Sequence, residues 1–513
     1  MGESRVHKSL LNARVNIIFY FLSLFFSFFS RKIFLDCLGA EFIGLTGTLS
    51  NILGYLNLAE LGVGAAISFF LFKPIQQGDR QQICEVISLY GFLYRKIGLF
   101  ILCAGVVISL FFPLIFAKEN LGFGIIYFSY YSILGSALIG YFINYRQILL
   151  SADQKNYLVA IYFQSSNLVK IALQMFLAIH FSNFYLWVSI EFLFGIIGCI
   201  ILNWKINKEY PWLKSEVSKG KQLIKKYPTI LSSTRQVFIH KIKDFLLNRS
   251  DQIMVYAFVS LKMVAYYGNY TLIVTKVLYL FNSALDSVGA GVGNLVAEGN
   301  IKNTMKVFWE LMVIRHFVAG LVVFSLYMLL EPFITIWLGP QYILSREILV
   351  MLLAYQYIAQ SRGVVDMFNH AHGLYADTWS AWAELFINLT VTIVCGIRYG
   401  IVGILLGKLV STLLIIVFWK PYYLFSAGLK RPVREYWIGT IRYYIVFAVS
   451  FAIAYKICPF YQFSPDNFLN LFLYGLSTVG TYLIINLLLL YFFCQGSHSC
   501  LDRLKGYRLF NRK

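Results

Sequence analysis

Apolar runs, each long enough to cross a bilayer, follow one another along this chain from about residue 13 to residue 493, with only short polar breaks between them. About 20 consecutive apolar residues span the hydrocarbon core of a membrane. The pattern therefore predicts about fourteen transmembrane helices, at 14–35, 42–72, 83–116, 123–150, 157–180, 185–203, 231–260, 263–295, 305–331, 346–370, 379–398, 400–420, 438–458 and 467–493. The span 42–72 is long and rich in glycine, which predicts a bend or a tilt. The span 231–260 is the least apolar. A longer polar break at 203–228 separates the first six spans from the next six, and two more follow. The expected organisation is an N-terminal lobe over 1–203, a basic linker over 204–230, a second lobe over 231–420, and two last spans with a basic tail over 421–513. The fold class is an all-α polytopic membrane protein.

Composition agrees and adds a sign. Of the 513 residues, 59% are hydrophobic and only 13% charged, against about 25% charged in soluble domains. Lys and Arg number 44 against 24 Asp and Glu, a net charge of +20. Such an excess suits a nucleic-acid binder or a membrane protein whose cytoplasmic loops collect Lys and Arg, and placement decides for the second. The 203–228 break carries Lys205, Lys208, Lys214, Lys219, Lys221, Lys225 and Lys226. The breaks at 73–82, 151–156, 296–304 and 421–437, with both chain ends, are also basic. The alternate breaks at 117–122, 181–184, 332–345 and 459–466 are nearly free of base. Both termini are thus expected in the cytoplasm, and no nucleic-acid partner is expected.

Three function classes recede. No break can hold a soluble catalytic domain. No Walker A loop, HExxH or GxSxG occurs in a credible context, which disfavours ATP-driven transport by this chain and enzymatic activity. The eight cysteines form no CxxC pair and read as small hydrophobes, so neither metal nor cofactor is expected. The basic N-terminus lacks a short apolar run with a cleavage site, so the first span is expected to stay as an anchor.

A weak internal repeat is visible. Arg31, Gly47 and Gly78-Asp79 have counterparts in Arg249, Gly268 and Gly299-Asn300, and Gly62-Val63-Gly64 loosely matches Gly291-Val292-Gly293. Six spans per half give both halves the same orientation, which predicts two lobes about an axis along the membrane normal with a site between them.

Charge within the spans is where chemistry is expected. A charge at the bilayer centre costs about 2.5–3.5 kcal/mol on insertion scales. Lys170, Arg249, Lys276, Arg315, Arg362 and Lys408 fall at such depth, with Arg31 and Lys32 nearer an interface. An ordinary reading stands beside each: Arg31, Lys32 and Lys262 can snorkel, and Lys241 with Asp244 reads as structural. Arg362, Asp366 and His370 share one helix face, either as an ion pair or as a substrate site. Lys170, Arg249, Lys276 and Arg315 have no acid at helical spacing and are the better candidates for a cationic lumen suited to phosphate. The intramembrane acids are Glu60, Glu191, Asp251, Asp286, Asp366 and Glu384. Glu60 suits either ion coupling, a role also open to Asp366, or pairing with a lumen cation. The 36 Tyr suit interfacial belts or sugar stacking.

The segment RKIFLDCLGAEFIGL beginning at Arg31, with LAELGVG beginning at Leu58 and Lys73-Pro74, resembles bacterial polysaccharide-biosynthesis membrane proteins. These are the Wzx-like O-antigen and capsule flippases of the multidrug/oligosaccharidyl-lipid/polysaccharide exporter superfamily. The specific match covers the first 100 or so residues. The resemblance implies a V-shaped, MATE-like pair of lobes working by alternating access in the bacterial cytoplasmic membrane. It implies a cargo of undecaprenyl-pyrophosphate-linked oligosaccharide, with membrane lipids and other polysaccharide-assembly proteins as partners. It implies that lumen cations handle pyrophosphate or acidic sugars, with Arg31 and Arg249 at matching places in the halves. Two other functions stand: an ion-coupled exporter of small organic cations, which needs an acidic lumen, and a membrane glycan polymerase, which usually needs a longer outer loop than 332–345.

Overall fold

The computed structural model describes residues 5–510 apart from 61–62, 118, 120, 231–249, 287–291, 294, 297, 375–376 and 461–464. Among the described residues the regular structure is helical and no strand occurs. Ten described helices are long and apolar enough to cross a membrane. Large apolar side chains face outward on them: Leu114 is 77% exposed, Ile397 69% and Leu469 68%. Water would not tolerate such a surface, but a bilayer would. This is a multi-pass membrane protein.

Internal packing divides the chain into two units, Met1–Ala265 and Tyr266–Lys513. The first opens with α1 (Arg5–Leu56), which runs through the first predicted span and into the second. Gly39 parts its two pieces with φ 82° and ψ 160°, a conformation that suits residues without a Cβ. A 3₁₀ turn at Asn57–Glu60 and α2 (Val63–Gln77) complete the long second span. Its predicted bend coincides with a change from α to 3₁₀ geometry at Asn57–Glu60. α3 (Arg80–Ser109), α4 (Phe123–Ile143), α5 (Ser165–Phe181) and α6 (Phe184–Glu209) follow. α4 packs on α3 and α6, and α5 packs on α1 and α6.

The basic 203–228 segment is docked, not a free tether. The Tyr145 and Ser215 hydroxyls meet at 2.6 Å, and the Glu216 amide donates to Ser88 Oγ at 2.8 Å. Lys226 Nζ and the Tyr227 hydroxyl both reach Glu85 Oε2 at 2.6 Å. A Cβ on Gly220 would lie 2.1 Å from the Phe92 ring.

The second unit takes up α7 (Leu261–Asp286) at Tyr266 and adds α8 (Ile301–Trp337), α9 (Arg346–Ser361) and α10 (Gly363–Ala371). It continues with α11 (Thr378–Tyr399), α12 (Ile401–Ser411), α13 (Val433–Ile457), α14 (Phe468–Phe493) and α15 (Ser497–Phe510). Its core gathers Phe308, Met312, Val364, Phe368, Phe425 and Tyr443. In lipid the hydrophobic effect does not drive helices together, so close backbone approach and polar pairs must. The α11–α12 pair shows the first device. A Cβ on Gly403 would sit 2.2 Å from the Cys395 backbone, and one on Gly407 2.1 Å from Thr392 Oγ1.

One part of the repeat is repeated in geometry. Gly78 and Gly299 have φ of 71° and 72°. Each hands on to an Asx residue that caps the next helix. Asp79 Oδ1 accepts from the Gln82 amide at 2.9 Å, and Asn300 Oδ1 from the Asn303 amide at 3.1 Å. Each supplies a partner to an otherwise orphaned amide. Arg249, Lys241, Lys243, Gly62 and Gly291 lie outside the described residues.

Candidate functional site

The long helix α8 carries Arg315 into the second unit, where it is 5% exposed. Its guanidinium Nη1 donates to Asn282 Oδ1, on α7, at 3.2 Å. α9 and α10 meet at Arg362, and Gly363 starts the second piece. A Cβ there would lie 3.1 Å from Arg315 Cζ, so a bare backbone lets the guanidinium rest against the wall. Around it is a cavity of about 550 Å³ lined by Asn282, Gly293, Arg315, Ala359, Gln360, Gly363, Asp366, Met367, His370 and Ala371. Asp366 Oδ2 meets Arg362 Nη1 at 2.8 Å. Thus the ion-pair alternative for the Arg362 face is the one that forms, and its acid also lines the cavity.

In the first unit, Lys170 finds an acid one helix away, where same-helix spacing offered none. Its Nζ lies 2.6 Å from Glu191 Oε1, and Gln174 Nε2 donates to Glu191 Oε2 at 3.1 Å. Glu60, at the break between α1 and α2, accepts from the hydroxyls of Tyr94 and Tyr141. Tyr141 is 2.6 Å from Glu60 Oε2 and 3.0 Å from Asn57 Oδ1. One hydroxyl proton serves one acceptor, and the carboxylate takes it. An Asn57 amide turned over would donate to the same hydroxyl. Tyr90 packs on Tyr94 with ring centres 4.1 Å apart, so three tyrosines surround this acid. Arg31 Nη2 donates to the Ala265 carbonyl at 2.9 Å.

The structure thus brings Arg315, Asp366 and, through its ion pair, Arg362 together. Arg31, Glu60 and Lys170 belong to the first unit and do not share that cavity's lining. Lys276 is half-buried on α7 in the second unit and is not among the residues that line it. Lys408 lies over the Tyr355 ring at 5.0 Å. Asn282, Gln360 and the three tyrosines were missed, because uncharged polar residues in apolar runs carry no sign of their own. Another missed node is Asp377, which receives Lys420 Nζ at 2.7 Å, Trp419 Nε1 at 3.0 Å and Ser380 Oγ at 3.0 Å. Among the described residues no group of three or more His, Cys, Asp or Glu is placed to hold a metal ion.

Solved structures resemble this arrangement over nearly its whole length. The lipid II flippase MurJ, in an inward closed conformation, matches with a TM-score of 0.65 at 16% identity, covering 92% of this chain and 99% of that one. A multidrug resistance MATE family transporter of the MOP superfamily, inward-facing, matches with a TM-score of 0.59 at 15% identity, covering 80% and 95%. The chain shares the fold of these two transporters. No family model and no curated protein matches its sequence.

Proposed function

We propose that this chain is a flippase moving an undecaprenyl-pyrophosphate-linked oligosaccharide, an O-antigen, capsule or exopolysaccharide unit, from the inner to the outer leaflet of a bacterial cytoplasmic membrane. It works by alternating access, with both termini in the cytoplasm, and hands its cargo to other polysaccharide-assembly proteins. The observation that carries this reading is the extent of the likeness to a lipid II flippase, 92% of one chain against 99% of the other. The physical problem is a charged, sugar-bearing head crossing hydrocarbon while its tail stays in lipid. A polar cavity at helix α8, with Arg315 in its wall, suits the head. An inside-negative potential assists export by about 2.3 kcal/mol per charge per 100 mV, or about 4.6 kcal/mol for a doubly charged pyrophosphate. Arg31, Lys170, Arg249, Lys276 and Arg362 remain proposed contacts to the cargo.

The test is reconstitution. Proteoliposomes carrying undecaprenyl-pyrophosphate-linked oligosaccharide should expose the inner-leaflet share of the glycan to an impermeant lectin, and Arg315→Ala should slow that exposure severalfold. Protein-free rates from the wild-type chain would refute the reading.

A second reading has its own observation. A carboxylate at membrane depth suits a cation held by charge, and Glu60, which accepts from the Tyr94 and Tyr141 hydroxyls, is such a group. It favours an ion-coupled exporter of small organic cations, or ion coupling of the flippase itself through Glu60. Ion-driven ethidium efflux from the same vesicles, abolished by Glu60→Gln, would select the exporter.

A further inference from the structure

A seat for pyrophosphate and a seat for sugar make opposite demands. A fully ionised phosphate only accepts hydrogen bonds, so its site needs donors and a surplus of positive charge. A sugar hydroxyl both donates and accepts, so its site needs both kinds of group side by side. The cavity of the second unit is of the latter kind. Arg315 contributes donors, and Asp366 contributes an acceptor on the same wall. Asn282 and Gln360 each offer an amide that donates from nitrogen and accepts at oxygen, and His370 adds a ring nitrogen. Arg362 faces Asp366 at 2.8 Å, and Arg315 donates to the uncharged amide of Asn282 at 3.2 Å. A phosphate entering here would meet a carboxylate. The volume of about 550 Å³ lies within the range of about 300–1,000 Å³ of small-molecule sites.

We propose that this cavity receives a sugar residue of the cargo and reads its hydroxyl pairs through Asn282, Gln360, Asp366 and Arg315, while the pyrophosphate is held elsewhere. Gly363 belongs to the design, since it lets the Arg315 guanidinium lie flat in the wall. The inference rests on the flippase reading and narrows it.

The experiment uses the full chain in lipid nanodiscs and two probes. One is the repeat-unit oligosaccharide released by mild acid from the lipid-linked intermediates of a producing strain. The other is undecaprenyl pyrophosphate without sugar. Wild-type protein should bind both, and excess inorganic pyrophosphate should not displace the oligosaccharide. Gln360→Ala and Asp366→Asn should each weaken oligosaccharide binding about tenfold. Both should move undecaprenyl pyrophosphate binding less than about twofold. Displacement by pyrophosphate, which needs no variant to fold, would overturn the proposal, as would oligosaccharide binding unchanged in both variants. Binding of undecaprenyl pyrophosphate without any of the oligosaccharide would overturn the sugar seat and leave the flippase reading standing. Binding of neither probe would end both.

Discussion

The pair Lys170–Glu191 separates a structural charge from a transport charge. Its atoms lie 2.6 Å apart, with side chains 15% and 27% exposed. A hydrogen bond between charged groups contributes about 1.5–3 kcal/mol. Removing one partner of a deeply buried pair costs about 3–5 kcal/mol, because the other charge is left without compensation. Partial exposure and the Gln174 bond to the same carboxylate place Lys170→Met nearer the lower figure, at about 2 kcal/mol. Glu191→Leu strands the ammonium and should cost about as much. The double variant strands nothing, and apolar replacement of a whole ion pair is often neutral. It should return to within about 1 kcal/mol of the wild type, a coupling of about 3 kcal/mol, at the upper end of that found for contacting residues.

The assay is the apparent melting midpoint of the purified chain in detergent, run for both single variants and the double. Glycan export is read in parallel in cells lacking their own flippase. Stability losses that simply add in the double variant would refute the structural argument. A double variant with wild-type stability but no export would assign Lys170 or Glu191 a contact with the cargo.

Two further outcomes follow from close contacts. Gly403→Ala places a Cβ 2.2 Å from the Cys395 backbone, so α11 and α12 must part, at about 1–3 kcal/mol. The melting midpoint should fall, whereas Gly480→Ala, with open space around it, should hold or raise it. At the loop before α5, burial by itself would depress the Lys155 ammonium, but the carboxylates of Glu209 and Asp153 outweigh it and hold the group above its ordinary value. A raised cation stabilises the fold fully below its unfolded value of about 10.4 and ceases to as pH rises through the elevated one. Melting midpoints measured across pH 9–12 should therefore fall less steeply for Lys155→Met than for the wild type.

Much of the fold was legible because each element is an apolar run that must satisfy its own backbone bonds. Most described residues of the predicted spans are helical, although α1 runs on from the first predicted span into the second, and Gly78-Asp79 and Gly299-Asn300 marked two helix starts of the same geometry. The change at Asn57–Glu60 showed only as the length and glycine content of the span 42–72. The docking of 204–230 was hidden by its lysines, although Leu213, Val217, Leu223 and Ile230 are buried between them. Of the site, the Arg362–Asp366 pair was readable because the two residues stand four apart in one apolar run. The partners of Lys170 and Glu60 were not, since Glu191, Tyr94 and Tyr141 arrive from other helices, and the faces that meet depend on packing that periodicity alone does not specify.

That distinction bears on how lumen charge is inferred in membrane proteins. Counting cations at membrane depth suggested a strongly positive path. The structure places Glu191 against Lys170 and Asp366 against Arg362. Each pair offsets the cost of about 2.5–3.5 kcal/mol of inserting its cation without adding net charge to a lumen. A lining that holds such a pair, as the cavity beside Arg315 does with Asp366, offers donors and acceptors together. It suits a polyhydroxylated head better than a bare phosphate, and phosphate binding is then expected only where cations outnumber acids locally. The sign of a transport path follows from the pairing of its charges and not from their number. Reversing one pair, as Lys170→Glu with Glu191→Lys, should accordingly preserve stability, because the balance is unchanged. Loss of export at wild-type stability would show that position and sign both matter at this pair.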